Sequence, residues 1–597
     1  MFEQEQKTIE LHIQSYCAEN GIPVPASMLW NPIPFSGEWG ITTTFFQLAA
    51  QEARTGKKIN VAQRAQEMAA GVAQTLGTPV GFTRVEAIKG YLNLYFSPAV
   101  FTRRVVQAVL EQGQRYGSGA STGQRVMVEF SQPNTHKAFH VGHLRSAILG
   151  DALARILEFA GYQVVRANYP GDMGLHVIKW LWNYLKNHNG EEPTADITQW
   201  MGDIYIEATR LLEATPELEA EVRAVYARWD QRDPQVVAIW EKTRQWSLEG
   251  FNQMYAALDI RFERYYFNSE EEQPGKEMVA ALVQRGIAID ERPDGPVIVR
   301  IDDLLGLKVE KYRVLVVLRS DGTALYATED LALVLHKFAD YPDLVRSIYV
   351  VDVRQSLHFT QVFKTLEIAG YEIAQKCVHV PYELVTLPGN VVLSSREGTV
   401  VLLEDLLREA TRRALAVVRQ KNPNLSEAQM LEVARAVGIG ALKYPMLARE
   451  NTKLVTFDWQ TALDFNGQAA PYIQYAHVRA NSILRKSQTE EVDDENSPAF
   501  QSPILPLHPL DPTEIQLIDL IARFPAEVQR AAQEFKPLVI TSLAYEVARA
   551  FNDFYGACPV LQAEPHVRTA RLQLVAAARQ ALANMLSLLG IIAPEVM

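Results

Sequence analysis

Between residues 125 and 169 the hydrophobic and polar positions change period twice. "RVMVEF" is a short apolar run of β formers. "GHLRSAILGDALARILEFAG" then places Leu144, Ile148, Leu149, Leu153, Ile156 and Leu157 at helical spacing and stops at Gly161, after which "QVVRANY" returns to a strand pattern. Strand, helix and strand in succession predict a βαβ unit and therefore a parallel sheet. From about 180 to 300 the periodicity is mostly helical with charged faces, before "PVIVRI", "RVLVVL" and "SIYVVDV" resume the strand pattern. This stretch reads as a helical insertion in the sheet domain.

The residues ahead of the βαβ unit mix amphipathic helix with the strand-like "GYLNLYF" and read as an independent α+β module, whereas nearly everything after about 400 reads as helix. Asp511, Pro512 and Glu514 supply an N-cap, an N1 proline and a capping-box acid ahead of Leu517, Ile518, Ile521 and Phe524 on one face. The expected fold class is α/β: a Rossmann-like parallel-sheet domain with a helical insertion, an N-terminal α+β module and a C-terminal all-α bundle. The expected boundaries are 1–118, 119–400 with the insertion at about 180–300, 401–455 as a helical linker and 456–597 as the bundle. "SQTEEVDDENSPAFQSPILPLHP" joins an acidic run to several prolines and reads as an exposed, partly disordered loop.

A length of 597 residues exceeds what one core serves, so several structural units are expected. The three cysteines, Cys17, Cys377 and Cys558, have no CxxC spacing, which argues against a disulfide framework and a Cys-based zinc site. No apolar run is long enough to cross a bilayer and the start lacks a secretory pattern, so a cytoplasmic protein without a membrane partner is expected. The net charge of −12 excludes a uniformly basic surface but not a local one. In "LREATRRALAVVRQK", Arg408, Arg412, Arg413, Arg419 and Lys421 suit either an RNA-facing helix or a solvated face.

Chemistry concentrates in "SQPNTHKAFHVGHLRSAILGD". A loop that leaves a parallel strand for a helix lies at the carboxyl edge of the sheet, and the helix start offers N–H groups to anions. His140, His143 and Lys137 can donate to phosphoryl oxygens, and Gly142 lets a flat base approach the backbone. Other readings stay open at this point: a metal face of His136, His140 and His143, capping or core histidines, or a nucleotide site serving another chemistry.

"HVGH" resembles the HIGH signature of class I aminoacyl-tRNA synthetases, and "EFSQPNTHKAFHVGHLRSAILGD" resembles its arginyl-tRNA synthetase form. "NYPGDMG", "SDGTALYATEDLA", "RQSLHFTQ", "SSREGTVV", "APYIQYAHVR" and "FNDFYGACPVL" resemble further blocks of that family, in its order. The resemblance implies an ATP-dependent ligase that activates L-arginine and transfers it to the 2′-hydroxyl of the terminal adenosine of tRNA(Arg). ATP and Mg²⁺ carried with it are implied, without zinc, and a monomer is expected. By the same resemblance His140 and His143 stabilise the triphosphate, Gly142 makes room for adenine, and His140 also lies near the substrate carboxylate. Glu129, Tyr326 and Asp330 surround the guanidinium, Tyr326 and Asp330 being four apart on a helix and so on one side. Asn134 and Gln355 hold the α-amino end.

The second class signature departs from its common KMSKS form: "VLSSREG" has Leu393 for methionine, Ser395 at the second lysine and Glu397 where many arginyl enzymes carry lysine. Lys137 occupies the upstream position at which a lysine substitutes in this family, and Ser394, Ser395, Arg396 and Gly398 still suit a phosphate-contacting loop. For RNA, Tyr472, Tyr475 and Arg479 form one stripe of a helix beside the aliphatic stripe Ile473, Ala476, Ala480 and Ile483. The resemblance assigns that stripe and Met597 to the anticodon loop, and Asn93 and Phe96 to the D-loop side. A synthetase for another amino acid and an RNA-binding paralogue with a silent site are the competing functions.

Overall fold

The computed structural model describes residues 3–54, 59–139, 141–388, 391–392, 402–490 and 509–597. His140, Ser394, Ser395, Arg396 and Gly398, and most of the acidic, proline-containing loop, lie outside the described residues.

From the amino terminus, α1 (Glu3–Glu19) leads to β1 (Asn31–Pro32), β2 (Gly40–Thr44), α2 (Phe46–Ala53), α3 (Val61–Leu76), β3 (Phe82–Ile88), β4 (Tyr91–Phe96) and α4 (Pro98–Gln112). The four strands pair antiparallel in the order β1-β2-β4-β3. Period-2 alternation sets the faces of β4: Leu92, Leu94 and Phe96 are buried, while Tyr91, Asn93 and Tyr95 face the other way. This α+β module belongs to a compact unit of Met1–Tyr116, Arg479–Phe524 and Glu546–Leu582; a second unit comprises Gly117–Val478, Pro525–Tyr545 and Ala583–Met597.

The second unit opens with the expected βαβ element: β5 (Arg125–Glu129), α5 (Val141–Phe159) and β6 (Gln163–Asn168). Helices α6 (Leu175–Asn187), α7 (Ile197–Ala214), α8 (Glu219–Asp230) and α9 (Pro234–Ala257) follow, with a core rich in tryptophan that includes Trp180, Trp182, Trp229, Trp240 and Trp246. The main sheet resumes at β7 (Arg264–Tyr265), inside the stretch read as helical. After α10 (Asn268–Gln284) come β8 (Ile289–Asp290), β9 (Val297–Arg300), α11 (Ile301–Leu304), β10 (Val314–Leu318), α12 (Tyr326–Asp340), β11 (Leu344–Asp352), α13 (Ser356–Ile368) and β12 (Cys377–Tyr382). The main sheet is wholly parallel, in the order β12-β11-β5-β6-β7.

"PVIVRI" and "RVLVVL" do form strands, but β9 and β10 are antiparallel to each other and make a separate three-stranded sheet with β8. Only the four-residue α11 lies between them, too short to carry a crossover along the sheet face. The remaining elements are β13 (Val385–Leu387), β14 (Val391–Val392), α14 (Leu403–Lys421), α15 (Glu427–Leu447), β15 (Val455–Thr456), α16 (Trp459–Ala462), α17 (Ala470–Glu490), α18 (Pro512–Glu534), α19 (Leu538–Ala557) and α20 (Pro565–Leu588). The long carboxyl-terminal elements are thus helical. Asp511 caps α18 through Thr513 N–H at 2.8 Å while Glu514 reaches back to the Asp511 N–H at 2.8 Å, as the capping pattern predicts.

Candidate active site

In a parallel sheet, ligands bind where adjacent strands send their connections to opposite faces; here that point lies between β5 and β11. Glu129 ends β5 in register with Tyr349 of β11, and Gln355 stands exposed in the turn that follows β11.

The loop joining β5 to α5 is strained and closely held. Ser131, Gln132 and His136 have φ of 77°, 46° and 59°, which non-glycine residues adopt only when neighbours enforce it. Ser131 N–H donates to Ser146 Oγ at 2.9 Å, Gln132 N–H to Asn168 Oδ1 at 3.1 Å, and Thr135 N–H to the Gly171 carbonyl at 2.9 Å. Asn134 bridges to Gly171 alongside. A Cβ at Gly150 of α5 would lie 2.1 Å from the Phe130 ring, so glycine is what lets the helix close onto the end of β5.

His136 is fully buried, with Nδ1 bonded to Thr135 Oγ1 at 2.9 Å and Nε2 to Thr243 Oγ1 at 2.8 Å. Both ring nitrogens are therefore occupied, which removes His136 from any metal face. Burial, with His176 and Arg244 nearby, holds its pKa well below the usual imidazole range, so it is a neutral packing residue. Lys137 is half-buried, its Nζ 4.9 Å above the Tyr205 ring. Gly142 and His143 lie in the first turn of α5, the His143 ring 5.3 Å from that of Phe139. The first four N–H groups at this end, about one turn's worth, have no intrahelical acceptor, the usual seat for an anion.

Arg145, 1% exposed, fixes α5 from below: its guanidinium donates to the carbonyls of Glu383, Leu384, Asn451 and Lys453, the last three at 3.2, 3.0 and 2.9 Å. Burial lowers its pKa to about 10, which leaves it charged at neutral pH. Nothing in the local pattern marks Arg145, because its partners are some 240 to 310 residues away in sequence.

A second group of side chains is acidic. Tyr326 begins α12, exposed, with Asp330 one turn on. Asp330 Oδ2 lies 2.5 Å from His358 Nε2, and Glu329 accepts from Asn268 Nδ2 at 2.5 Å. Asn268 also donates to the Tyr169 hydroxyl at 2.7 Å, and Glu271 lies 2.6 Å from His336 Nδ1. Burial and the surrounding Asp330, Glu329, Glu271 and Glu129 push the Tyr169 phenol well above its usual range, so four carboxylates share one neighbourhood. Glu129, 2% exposed, accepts from Gln132 Nε2 at 2.8 Å and from Lys337 Nζ, a wholly buried ammonium 3.8 Å from the Tyr349 ring centroid. Burial and then the charge of Asp330 raise the Glu329 carboxyl to about 8. Among the described residues Lys337 stands against Glu129, and the imidazoles of His336 and His358 against Glu271 and Asp330, while Glu329 at about 8 is mostly protonated at neutral pH. Sequence reasoning missed Tyr169, Asn268, Glu271, Glu329 and Lys337; Lys337 alone had a local signal, seven residues past Asp330 and so on its face of α12.

The RNA-facing expectations are placed as follows. Asn93 is half-buried on the outward face of β4, its Oδ1 accepting from Thr42 Oγ1 at 2.6 Å. Phe96, 5% exposed, stacks on Phe82 with centroids 4.9 Å apart and is a packing residue of the module. Tyr472 and Tyr475 are half-buried on α17, Tyr472 5.4 Å from Tyr545 and Tyr475 5.8 Å from Lys421 Nζ. Arg479 donates to Asn552 and lies 5.3 Å from the Tyr555 ring, which is 46% exposed. Met597 is 6% exposed in a core with Val418, Met430 and Val433, and its carbonyl accepts from Asn422, so its side chain packs inward. On α14 the arginines are paired: Arg408 with Asp405 at 3.0 Å, Arg412 and Arg413 with Glu409 at 2.7 and 2.6 Å, and Arg419 with Glu427 at 2.9 Å. That face is a solvated ion-pair surface.

Comparison with known proteins agrees with this geometry. The family model described as tRNA synthetases class I (R), catalytic domain, matches residues 105–459, and that of the DALR anticodon binding domain matches 473–597. The arginine–tRNA ligase of Clostridium perfringens (strain 13 / Type A) is 36% identical over 513 residues, covering 86% of this chain and 87% of that protein. That of Clostridium beijerinckii (strain ATCC 51743 / NCIMB 8052) is 33% identical over 592 residues, covering 98% and 97%. The solved Thermus thermophilus arginyl-tRNA synthetase superposes with a TM-score of 0.73 at 28% identity, covering 99% of this chain and all of that one. The Plasmodium falciparum arginyl-tRNA synthetase, at 19% identity and a TM-score of 0.72 over 99% of each chain, shares the fold. With the parallel sheet, the helix start that carries Gly142 and His143, the acidic cluster about Tyr169 and the long carboxyl-terminal helices described, and with these matches over most of the chain, this chain belongs to the arginyl-tRNA synthetase family.

Proposed function

We propose that this chain activates L-arginine with ATP and transfers it to the 2′-hydroxyl of the terminal adenosine of tRNA(Arg). In the first step an oxygen of the arginine carboxylate attacks the α-phosphorus and the bond to pyrophosphate breaks. In the second the 2′-oxygen attacks the acyl carbon, AMP leaves, and the hydroxyl proton departs with the leaving phosphate or to water. Both steps are achieved mainly by positioning and charge stabilisation. What carries this reading is the acidic cluster: Glu129, Glu271, Glu329 and Asp330 gathered about Tyr169, with Lys337, His336 and His358 as their partners among the described residues. A planar cation with five donor hydrogens satisfies such a cluster better than a neutral or compactly charged side chain does.

In this proposal Glu129, Tyr326 and Asp330 take the guanidinium, Asn134 and Gln355 the α-amino group, and His140 the carboxylate. Lys137, His140 and His143 serve the triphosphate with its Mg²⁺, Gly142 admits adenine, and Ser394, Ser395, Arg396 and Gly398 contact the phosphates. Asn93, with the module that Phe96 supports, meets the D-loop side of the tRNA. Tyr472, Tyr475, Arg479 and Met597 meet the anticodon loop. The enzyme works as a cytoplasmic monomer, with the catalytic domain at 119–400 between the N-terminal module at 1–118 and the helical regions at 401–455 and 456–597.

Charging a purified tRNA pool with each radiolabelled amino acid tests the proposal: arginine alone is incorporated, and charging with lysine, glutamine or citrulline overturns it. ATP–pyrophosphate exchange with arginine appears only once cognate tRNA is added; strong exchange without RNA contradicts that part.

A further inference from the structure

The loop between β6 and α6, "PGDMG", touches both ends of the proposed amino-acid site. Asp172 lies at its centre with its carboxylate wholly buried, and the donors that reach it come from α9 and α10. Oδ1 accepts the Ser269 N–H at 3.0 Å, and Oδ2 accepts the Ser269 hydroxyl at 2.6 Å and Arg244 Nη1 at 2.9 Å. The Asp172 carbonyl takes the Trp240 indole N–H at 2.9 Å. Ser269 stands in the first turn of α10, where Phe267 at the cap position has no side chain able to accept a backbone N–H. Asp172 therefore caps α10 from 97 residues away.

The capped turn carries Asn268, whose amide donates to the Tyr169 hydroxyl at 2.7 Å and to Glu329 of α12 at 2.5 Å. Further along α10, a Cβ at Gly275 would lie 2.4 Å from the Thr328 carbonyl, so this helix rests directly on the turn of α12 between Tyr326 and Asp330. The residue before Asp172 reaches the other end of the site. Gly171 accepts the Thr135 N–H at 2.9 Å and bridges Asn134. A Cβ on Gly171 would lie 2.4 Å from Asn134 Oδ1 and 3.4 Å from Asn268 Oδ1, so glycine leaves both amides where they are.

We propose that Asp172 is a positioning residue that sets the length of side chain the site accepts, by holding the Asn134 end and the α12 end at one fixed separation. The inference rests on the arginine-activating function proposed above, in which Asn134 takes the α-amino group and α12 the guanidinium. Both ends hang on two adjacent residues, Gly171 and Asp172. The Arg244 guanidinium is itself held 4.5 Å from the Trp240 ring and 4.9 Å from the Phe267 ring, which stiffens the clamp. A misplacement of about 1 Å at a positioning contact costs up to about a hundredfold, so a substrate one methylene too long or too short cannot satisfy both ends while the loop is held.

The test is tRNA-supported ATP–pyrophosphate exchange on the full chain. The arginine KM is measured beside the inhibition constants of homoarginine and norarginine, one methylene longer and one shorter. In the parent each homologue binds about 10- to 200-fold more weakly than arginine. Asp172→Asn turns an NH₂ group towards Ser269 or Arg244; both ratios narrow by about tenfold as the arginine KM rises, while the ATP KM stays within about twofold. Ser269→Ala removes one of the three donors but keeps the buried ion pair with Arg244, and narrows the ratios by about threefold. It decides the matter if Asp172→Asn does not fold. Equal losses for arginine and its homologues, with the ratios as in the parent, mean a merely structural role and overturn the proposal, as does an ATP KM that rises in step with that of arginine. A parent that shows no exchange with arginine and cognate tRNA refutes the proposed function rather than the role of Asp172.

Discussion

Asp330→Asn probes the acidic cluster most directly. Asp330 is engaged with His358 at 2.5 Å and is the next cause after burial of the raised pKa of Glu329. Losing one charge-assisted hydrogen bond to a guanidinium costs about 1.5–3 kcal/mol, or roughly a 10- to 150-fold rise in the arginine KM. The neighbouring carboxyl places the expected value at the low end. Removing the Asp330 charge lets Glu329, held at about 8 in the parent, ionise closer to neutral pH and restore part of the negative potential. The expected rise near neutral pH is about tenfold, with the ATP KM unchanged. The pH dependence carries the same logic. A guanidinium favours the ionised carboxylate, so in the parent arginine binding strengthens as pH rises towards about 8 and releases a proton. Glu329→Gln flattens that rise, and Asp330→Asn moves it to lower pH. For folding the sign is opposite: a carboxyl raised from 4.5 to about 8 stabilises the fold fully below 4.5, and that contribution is lost as pH rises through 8. The assay is tRNA-supported exchange with arginine titrated from roughly pH 6.5 to 9, together with calorimetry in two buffers to count protons. An unchanged arginine KM in Asp330→Asn, or equal shifts in the arginine and ATP values, would refute the contact.

Three further outcomes follow from named contacts. Lys337→Met leaves the buried Glu129 carboxylate without its cation and costs about 3–5 kcal/mol in denaturant unfolding, most of it recovered by adding Glu129→Gln; absence of that recovery means Glu129 has another counter-charge. Burial lowers the Lys443 pKa from 10.5 to about 8, its Nζ donating to the Leu258 and Gly590 carbonyls at 2.5 and 2.7 Å. Because the unfolded chain then binds the extra proton, thermal stability should rise between pH 8 and 10.5, and Lys443→Met should remove that rise. Tyr475→Ala should raise the tRNA KM by roughly tenfold, about one stacked base, and leave the arginine KM alone; a matching change in arginine KM would point to a folding defect instead.

Much of the fold was legible in the chain because it is set by short-range periodicity. The β5–α5–β6 unit, the all-helical carboxyl end and the cap of α18 all follow from residues within a few positions of one another. The pairing of β9 and β10 was not, because an apolar run of β formers announces a strand but not its partner or direction. Burial was not legible where one residue type can serve two ends. Phe96 and Met597 carry the same apolar surface whether they meet RNA or fill a core, and only the alternation along β4 and the cluster around Val418 decide between them.

The site divides along the same line. Its phosphate side lies in one stretch, where a strand end, a strained turn and a helix start must be contiguous to do their work, so a reader of sequence finds Lys137, Gly142 and His143 together. Its cation side cannot be contiguous. Four carboxylates next to one another in sequence would repel without a scaffold to hold them, whereas β5, α10 and α12 can each bring one or two to a common point and counter them with Lys337 and paired imidazoles. In the proposed function it is the balance of that charge, rather than any single acid, that sets the affinity for a guanidinium. Glu329 and Lys337 tune it by protonation and by burial, properties that depend on depth and on partners far away in sequence rather than on the spacing that placed them on α12.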